Sequence, residues 1–406
     1  MPEKQQQGLG AFFGEYLKKQ SFFSNKQFLQ SAYTPEKIPH RGGEINQIAN
    51  ILAPALKSEK PSNIFIYGKT GTGKTVSVQY VLNYLIATAA QNQINLGGIY
   101  VNCKLKKVAD TEYRLIAHLS EKCGRKLPPT GLPTEEIYKT FFSVVDESGK
   151  NMIIVLDEID QLVKKTGDGI LYTISRMNEE LKHSKITIIG ISNDLTFIDH
   201  VDPRVKSSLS EEEILFPPYN ALQIKDILEE RANVAFREGS LEEGVIAKCA
   251  AYAAMEHGDA RRALELLRVA AELAERNNQD KVRIQNVDEA ENKIDRDKIF
   301  EAIITQPSQM QAALYAILLI NDQKKSHLIF TGEVYELYKE ICGKTGLRPL
   351  TQRRLSDMVS ELDMLGVITA RVISKGRYGR TREIKVSIPA ETASRLQQTL
   401  ASALQI

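Results

Sequence analysis

Gly68-Lys69-Thr70-Gly71-Thr72-Gly73-Lys74-Thr75 is the stretch that decides how this chain folds. A polyphosphate needs many donors at short range, and backbone N–H groups are the densest supply a chain has. Glycines at 68, 71 and 73 let the backbone curl around an anion without side-chain obstruction. Lys74 supplies a point charge, Thr75 a hydroxyl able to ligate Mg²⁺, and a helix opening here turns its positive end toward the anion. The preceding run Asn63-Ile64-Phe65-Ile66-Tyr67 reads as the strand such a loop requires. Gly71, Thr72, Gly73, Lys74, Thr75 and Val76 are therefore candidate contacts for ATP or ADP.

Outward from this loop, short β-branched runs alternate with longer helical patterns. They are Asn63–Tyr67, Gly98–Asn102, Met152–Leu156, Ile186–Ile191 and Ile214–Phe216. Runs of this kind predict an α/β fold, a parallel sheet covered by helices on both faces. Met152–Leu156 delivers Asp157 and Glu158 to the carboxyl edge, where open α/β sheets bind ligands. Asp157 is the expected Mg²⁺ partner of Thr75, and Glu158 the group that orients and polarises an attacking water.

At 406 residues the chain predicts two or three domains, and 42% apolar with 26% charged residues is ordinary for a soluble globular protein. Its formal charge is +2, but residues 305–406 carry a net +5, so an anionic partner is expected at that end. Cys103, Cys123, Cys249 and Cys342 are scattered, which argues against a metal site or a disulfide framework and for a reducing cytoplasm. Neither a leader-like start nor an apolar run of membrane-spanning length is visible, so a soluble cytoplasmic, nucleoid-associated protein is expected.

The expected boundaries are 1–30, an aromatic-bearing arm; 31–217, the nucleotide-binding core; 218–304, a helical lid; and 305–406, a DNA-binding domain. Phe12, Phe13, Tyr16, Phe22, Phe23 and Phe28 suit an arm docked on the chain's own core or on a partner. Pro217-Pro218 and Gln306-Pro307-Ser308 mark the later boundaries. Helices near Gln309–Ile320, Gly332–Cys342 and Thr351–Leu365 precede β-type runs Val367–Ser374 and Arg382–Ile388, joined by a basic glycine-rich tip. That order describes a winged helix-turn-helix domain.

Val155-Leu156-Asp157-Glu158-Ile159-Asp160 resembles the second signature of the AAA+ ATPases. The resemblance implies a first sensor at Asn193, an arginine finger at Arg204 within Asp202–Ser208, and a second sensor at Arg261 within Gly258–Ala263, where Arg261 meets the γ-phosphate from the lid. Arg262 is then expected to face solvent. Tyr33–Arg41 resembles the adenine-side segment of the archaeal origin-recognition initiators, relatives of the eukaryotic origin recognition complex and the cell-division-cycle helicase loader. By that resemblance Ile38, Pro39, His40 and Arg41 lie near the adenine and ribose. The family usually follows the arginine with an acidic residue, whereas here Gly42-Gly43 precede Glu44. The tip Gly376–Thr381 resembles the same family's wing, so the likeness runs from about Tyr33 to Ile388.

The resemblance implies a replication initiator that binds double-stranded origin DNA, uses ATP binding and slow hydrolysis as a switch, and meets the replicative helicase and other initiator subunits. Arg348, Thr351, Gln352, Arg353, Arg354 and Ser356 would face the major groove, and Lys375, Arg377, Tyr378 and Arg380 the adjacent backbone or minor groove. Lysines 104, 106 and 107 fit either a DNA-touching element or a solvated charged face. An AAA+ DNA motor or clamp loader, and a paralogous transcriptional regulator, share these modules. No Ser-Arg-Cys segment of the clamp-loader type stands near Arg204.

Overall fold

The computed structural model describes residues 20–30, 33, 35, 37–105, 108–128, 131–209, 211–324, 328–374 and 380–406. Two compact units divide between Val287 and Asp288. Among the described residues no helix is long and apolar enough to cross a membrane.

The first unit is built on five parallel strands: β1 (Ile64–Tyr67), β2 (Leu96–Asn102), β3 (Asn151–Asp157), β4 (Ile186–Ser192) and β5 (Glu212–Leu215). Their order is β2-β3-β4-β1-β5. β3 and β4 read as near-continuous apolar runs because helices cover both faces of the sheet. One apolar layer holds Phe65, Ile154, Leu156 and Ile188; the opposite layer holds Ile64, Ile66, Val155 and Ile189, following the two-residue alternation of a strand.

Register matters more than order for function. Tyr67 pairs with Ser192, and Ile191 pairs with Asp157. The carboxyl ends of β1, β4 and β3 therefore finish level with one another at strand spacing, about 5 Å apart. Whatever follows these three strands meets at one edge.

Pro217-Pro218 leads from β5 into helices Ala221–Ala235, Val245–Met255 and Ala260–Arg276. The first of these opens with a reciprocal cap between Asn220 and Gln223. The third opens on Asp259, whose carboxylate accepts from the N–H groups of Arg261 and Arg262. Residues 21–30 lie against this helical group: Phe23 packs on Phe236 at 4.9 Å, Lys26 pairs with Glu272 at 2.6 Å, and Ser21 donates to Glu275. Phe12, Phe13 and Tyr16 fall outside the described residues.

The second unit holds helices Ser308–Lys324, Thr331–Thr345, Gln352–Met364 and Ala390–Leu404 around a three-stranded antiparallel sheet. Its strands are β6 (Ile329–Phe330), β7 (Ile368–Ser374) and β8 (Arg380–Val386), in the order β6-β8-β7. Gln352–Met364 starts on a Thr351 cap and buries Leu355, Met358, Val359 and Leu362, which leaves the opposite face to polar residues. Lys375, Gly376, Arg377, Tyr378 and Gly379 lie outside the described residues, as do Lys106 and Lys107.

Candidate functional site

The loop after β1 opens directly into helix Lys74–Gln91. Lys74 is buried, and its ammonium donates to the carbonyls of Gly68 at 2.8 Å and Lys69 at 2.7 Å. Burial pulls its pKa down to about 8, against the opposing influence of Asp157. Gly71 sits at φ +74°, and a Cβ there would fall 1.7 Å from Asp259 Oδ1. The amide of Ala260 also donates to Gly71 O at 3.3 Å, so the start of the lid helix rests on the phosphate loop itself.

Asp157, at the end of β3, is buried and accepts at Oδ2 from Thr75 Oγ1 at 2.8 Å and from the Tyr100 hydroxyl at 2.6 Å. Burial pushes the Tyr100 hydroxyl well above its usual range, and its bond to Asp157 acts in the same direction. Glu158 turns into the left-handed region at φ +54° at the N-terminal boundary of the next helix, without a side-chain capping bond; its carboxylate stands 3.7 Å from Lys104. Asn193 follows β4, two residues beyond Ile191, the partner of Asp157.

A recess of about 100 Å³ is lined by Lys74, Thr75, Asp157, Glu158, Asn193 and Arg261. Beside it lies a larger cavity of about 690 Å³. Gly71, Gly73, Thr75 and Arg261 line both, so the two are neighbouring compartments along the loop. Thr72 and Lys74 line the smaller one, Val76 the larger one. The walls of the larger cavity include Ile38 and Pro39, with Tyr219 and Leu264 from the lid side and Phe28 and Tyr33 from the N-terminal segment. Arg231 anchors that segment, donating to the carbonyls of Phe28 and Tyr33 at 3.4 Å each. Sequence reasoning missed Tyr100, Tyr219 and Arg231. The one signal for Tyr100 was its place as the single aromatic of β2, two residues before that strand's end.

Two of the residues expected beside the base sit outside both cavities. His40 sits at φ +60° and pairs with Asp226 at 2.8 Å, and Arg41 is buried among backbone carbonyls; neither lines either cavity. The Gly42-Gly43 departure is absorbed because helix Gly42–Leu52 begins there and brings Glu44 to Arg41 at 2.8 Å. Arg204 also reaches neither cavity. It is largely exposed, stands 5.0 Å from the Tyr172 ring, and holds Asp202 in a two-point pair that pulls that carboxyl down to about 2.

The solvent-facing expectation for Arg262 is overturned. Arg262 is buried and pairs with Glu256 at 2.9 Å, whereas Arg261 reaches both cavities. Arg262 shares its helix face with buried Leu266 and Ala270, spaced by four, so the core claims it.

In the second unit, Gln352, Arg353 and Ser356 line a groove of about 420 Å³ with Thr331, Val372, Thr381 and Arg382. Arg348, Thr351 and Arg354 are exposed nearby in the chain. Arg382 donates to Ser360, which ties the wing strand β8 to the helix.

Family models match three segments: an AAA domain at 57–196, a Cdc6 AAA+ ATPase-type lid domain at 225–292, and a CDC6 C-terminal winged helix domain at 301–395. The chain is 51% identical over 392 residues to an ORC1-type DNA replication protein of Pyrococcus abyssi, covering 96% of this chain and 93% of that one. It belongs to the ORC1-type DNA replication proteins. Another member, ORC1-type DNA replication protein 1 of Archaeoglobus fulgidus, is 50% identical over 92% of this chain and 90% of its own length. Among solved structures, the ORC1 protein of Aeropyrum pernix, determined in complex with DNA, superposes with a TM-score of 0.80. It is 42% identical and covers 95% of this chain and 100% of its own. Cdc6p from Pyrobaculum aerophilum, at 21% identity and TM-score 0.60, shares the fold. This ORC1-type chain thus combines an AAA+ core, an AAA+ lid and a winged helix.

Proposed function

We propose that this protein is a DNA replication initiator whose winged helix and AAA+ core bind origin duplex, with ATP binding and slow hydrolysis as the switch that governs helicase recruitment. The observation that carries the nucleotide half is the convergence of Lys74, Thr75, Asp157, Glu158, Asn193 and Arg261 on one recess beside a cavity roomy enough for a nucleoside.

Lys74 exchanges its two carbonyl partners for phosphate oxygens, which a point charge on a flexible stem does readily. Thr75 Oγ1 and an Asp157 oxygen, 2.8 Å apart, are the hard oxygen donors that suit Mg²⁺, which when bound would neutralise phosphate charge. Glu158 and Asn193 orient the water, and Arg261 meets the terminal phosphate from the lid. Loss of that phosphate removes a contact made in only one state, which is what a switch needs. Arg204, exposed on helix Pro203–Leu209, suits a finger offered to a neighbouring initiator subunit. Ile38 and Pro39 supply the wall beside the base.

The DNA half rests on the polar, cation-bearing face of Gln352–Met364, on the groove it forms with β7 and β8, and on the net +5 of residues 305–406. The DNA-bound relative from Aeropyrum pernix supports the same reading. Footprinting purified protein on genomic duplex, with adenine nucleotide measured in the same preparation, tests it. Discrete protected sites and feeble turnover are expected. Strand movement with brisk DNA-stimulated turnover would instead indicate a motor.

A further inference from the structure

We infer that Arg41 is a positioning residue that aims the phosphate loop's N–H donors from behind, and that it touches neither base nor ribose. Arg41 is only 2% exposed, and its guanidinium is engaged on every side. Nε donates to Thr72 O at 2.8 Å, one terminal nitrogen to Pro217 O at 2.5 Å, and the other to Glu44 Oε1 at 2.8 Å. Its Cζ lies 3.9 Å from the centroid of the Tyr219 ring, within the reach of a cation–π contact.

The bond to Thr72 O has a consequence for the neighbouring residue. In a trans peptide the C=O and the following N–H point in opposite directions. Holding Thr72 O against Arg41 therefore turns the Gly73 N–H away from Arg41, into the recess that Gly73 lines. The preceding peptide is treated likewise: Ala260 N holds Gly71 O, which sets the direction of the Thr72 N–H. Two consecutive donors of the cradle are thus fixed from outside, one by Arg41 and one by the start of the lid helix.

The other contacts of Arg41 give it a reach beyond the loop. Pro217 and Tyr219 form the crossing from core to lid, and the Tyr219 hydroxyl lies 2.7 Å from where a Cβ on Gly73 would stand. Gly258, just before the lid helix, is packed so tightly on this crossing that a Cβ there would lie 2.4 Å from Tyr219 O. One buried cation therefore ties the phosphate loop, the crossing and helix Gly42–Leu52 together. Guanidinium is the group for this work, because its donors are fixed in one plane and reach three acceptors at once.

This inference rests on the nucleotide reading above, and its test separates the two. Arg41→Lys keeps a cation and an apolar stem but cannot span both carbonyls. The dissociation constants of ADP and of inorganic pyrophosphate are measured by calorimetry or competition for the parent chain and the variant. A residue that aims the cradle weakens both ligands by the same factor, expected to be about tenfold. A residue that meets base or ribose weakens ADP and leaves pyrophosphate untouched. Equal loss supports the inference; loss for ADP alone, or affinities within twofold of the parent for both, overturns it. A parent chain that binds neither ligand overturns the nucleotide reading and the inference with it. Should Arg41→Lys fail to unfold cooperatively, Glu44→Ala carries the same comparison. It frees one side of the guanidinium without lining either cavity, with an expected equal loss of about threefold.

Discussion

Replacing Gly71 by alanine probes the joint between phosphate loop and lid. Two costs can be worked out from the structure. At φ +74° an L-residue sits in the left-handed region, which costs about 1–2 kcal/mol. The new methyl would also stand 1.7 Å from Oδ1 and 2.9 Å from Cα of Asp259, so both side chain and backbone there must retreat. Asp259 would then lose its bonds to the amides of Arg261 and Arg262, and loss of such a cap costs about 1 kcal/mol. Gly71→Ala should therefore destabilise the first unit by about 2–3 kcal/mol. Gly149→Ala is the matched control. Gly149 has φ +60° and nothing within 4 Å of the place its methyl would take, which leaves the backbone cost of about 1–2 kcal/mol alone. Urea unfolding of the full chain measures both, and amide exchange along Ala260–Arg276 reports whether the extra loss falls on the lid helix. Equal destabilisation of the two variants, with unchanged exchange at Arg261 and Arg262, would refute the reasoning.

Lys74, held at about 8 against an ordinary value of 10.5, binds fewer protons in the folded than in the unfolded chain between those values. Nucleotide-free stability should therefore rise with pH across that window, by at most about 3 kcal/mol, while ADP affinity should fall about tenfold per pH unit above about pH 8, because the anion restores the proton. Calorimetry in buffers of different ionisation heat reads the uptake, and a pH-independent affinity would contradict it. Glu158→Gln should bind ATP as tightly as the parent yet release phosphate at least about a hundredfold more slowly in single turnover; retained hydrolysis would remove Glu158 from its role. Arg377→Ala with Arg380→Ala should weaken all duplexes alike and flatten the slope of log affinity against log salt by about two. An unchanged salt titration would refute the wing assignment.

Much of the fold could be read from the residues because strands leave a dense local signal. Each of the five β-branched runs became a strand, with ends shifted by about two residues or fewer. β5 begins at Glu212, ahead of the expected Ile214, because an edge strand can pair through exposed acidic residues. Helix Ala390–Leu404 was missed although Ala393, Leu396, Leu400 and Leu404, all buried, carry its period. Loop chemistry at Gly71–Val76 and the carboxylates after β3 were legible because spacing in the chain dictates their geometry. Arg41 was not, because its partners at Thr72 and Pro217 are carbonyls, which every residue possesses and no side-chain identity betrays. The contrast between Arg261 and Arg262 illustrates the same limit at finer scale. Motif likeness supplied the pair of arginines, but only the buried helix face, running through Leu266 and Ala270, decides which one turns inward.

Phe28 and Tyr33 form part of the wall of the larger cavity while Arg231 and the contacts of Phe23 and Lys26 fasten their segment to the lid. A nucleoside seated there would have this segment as one of its walls, so loosening the clasp is expected to speed its release while every phosphate contact stays in place. Changes confined to residues 21–30 would then alter how long a nucleotide stays without touching any group that performs chemistry.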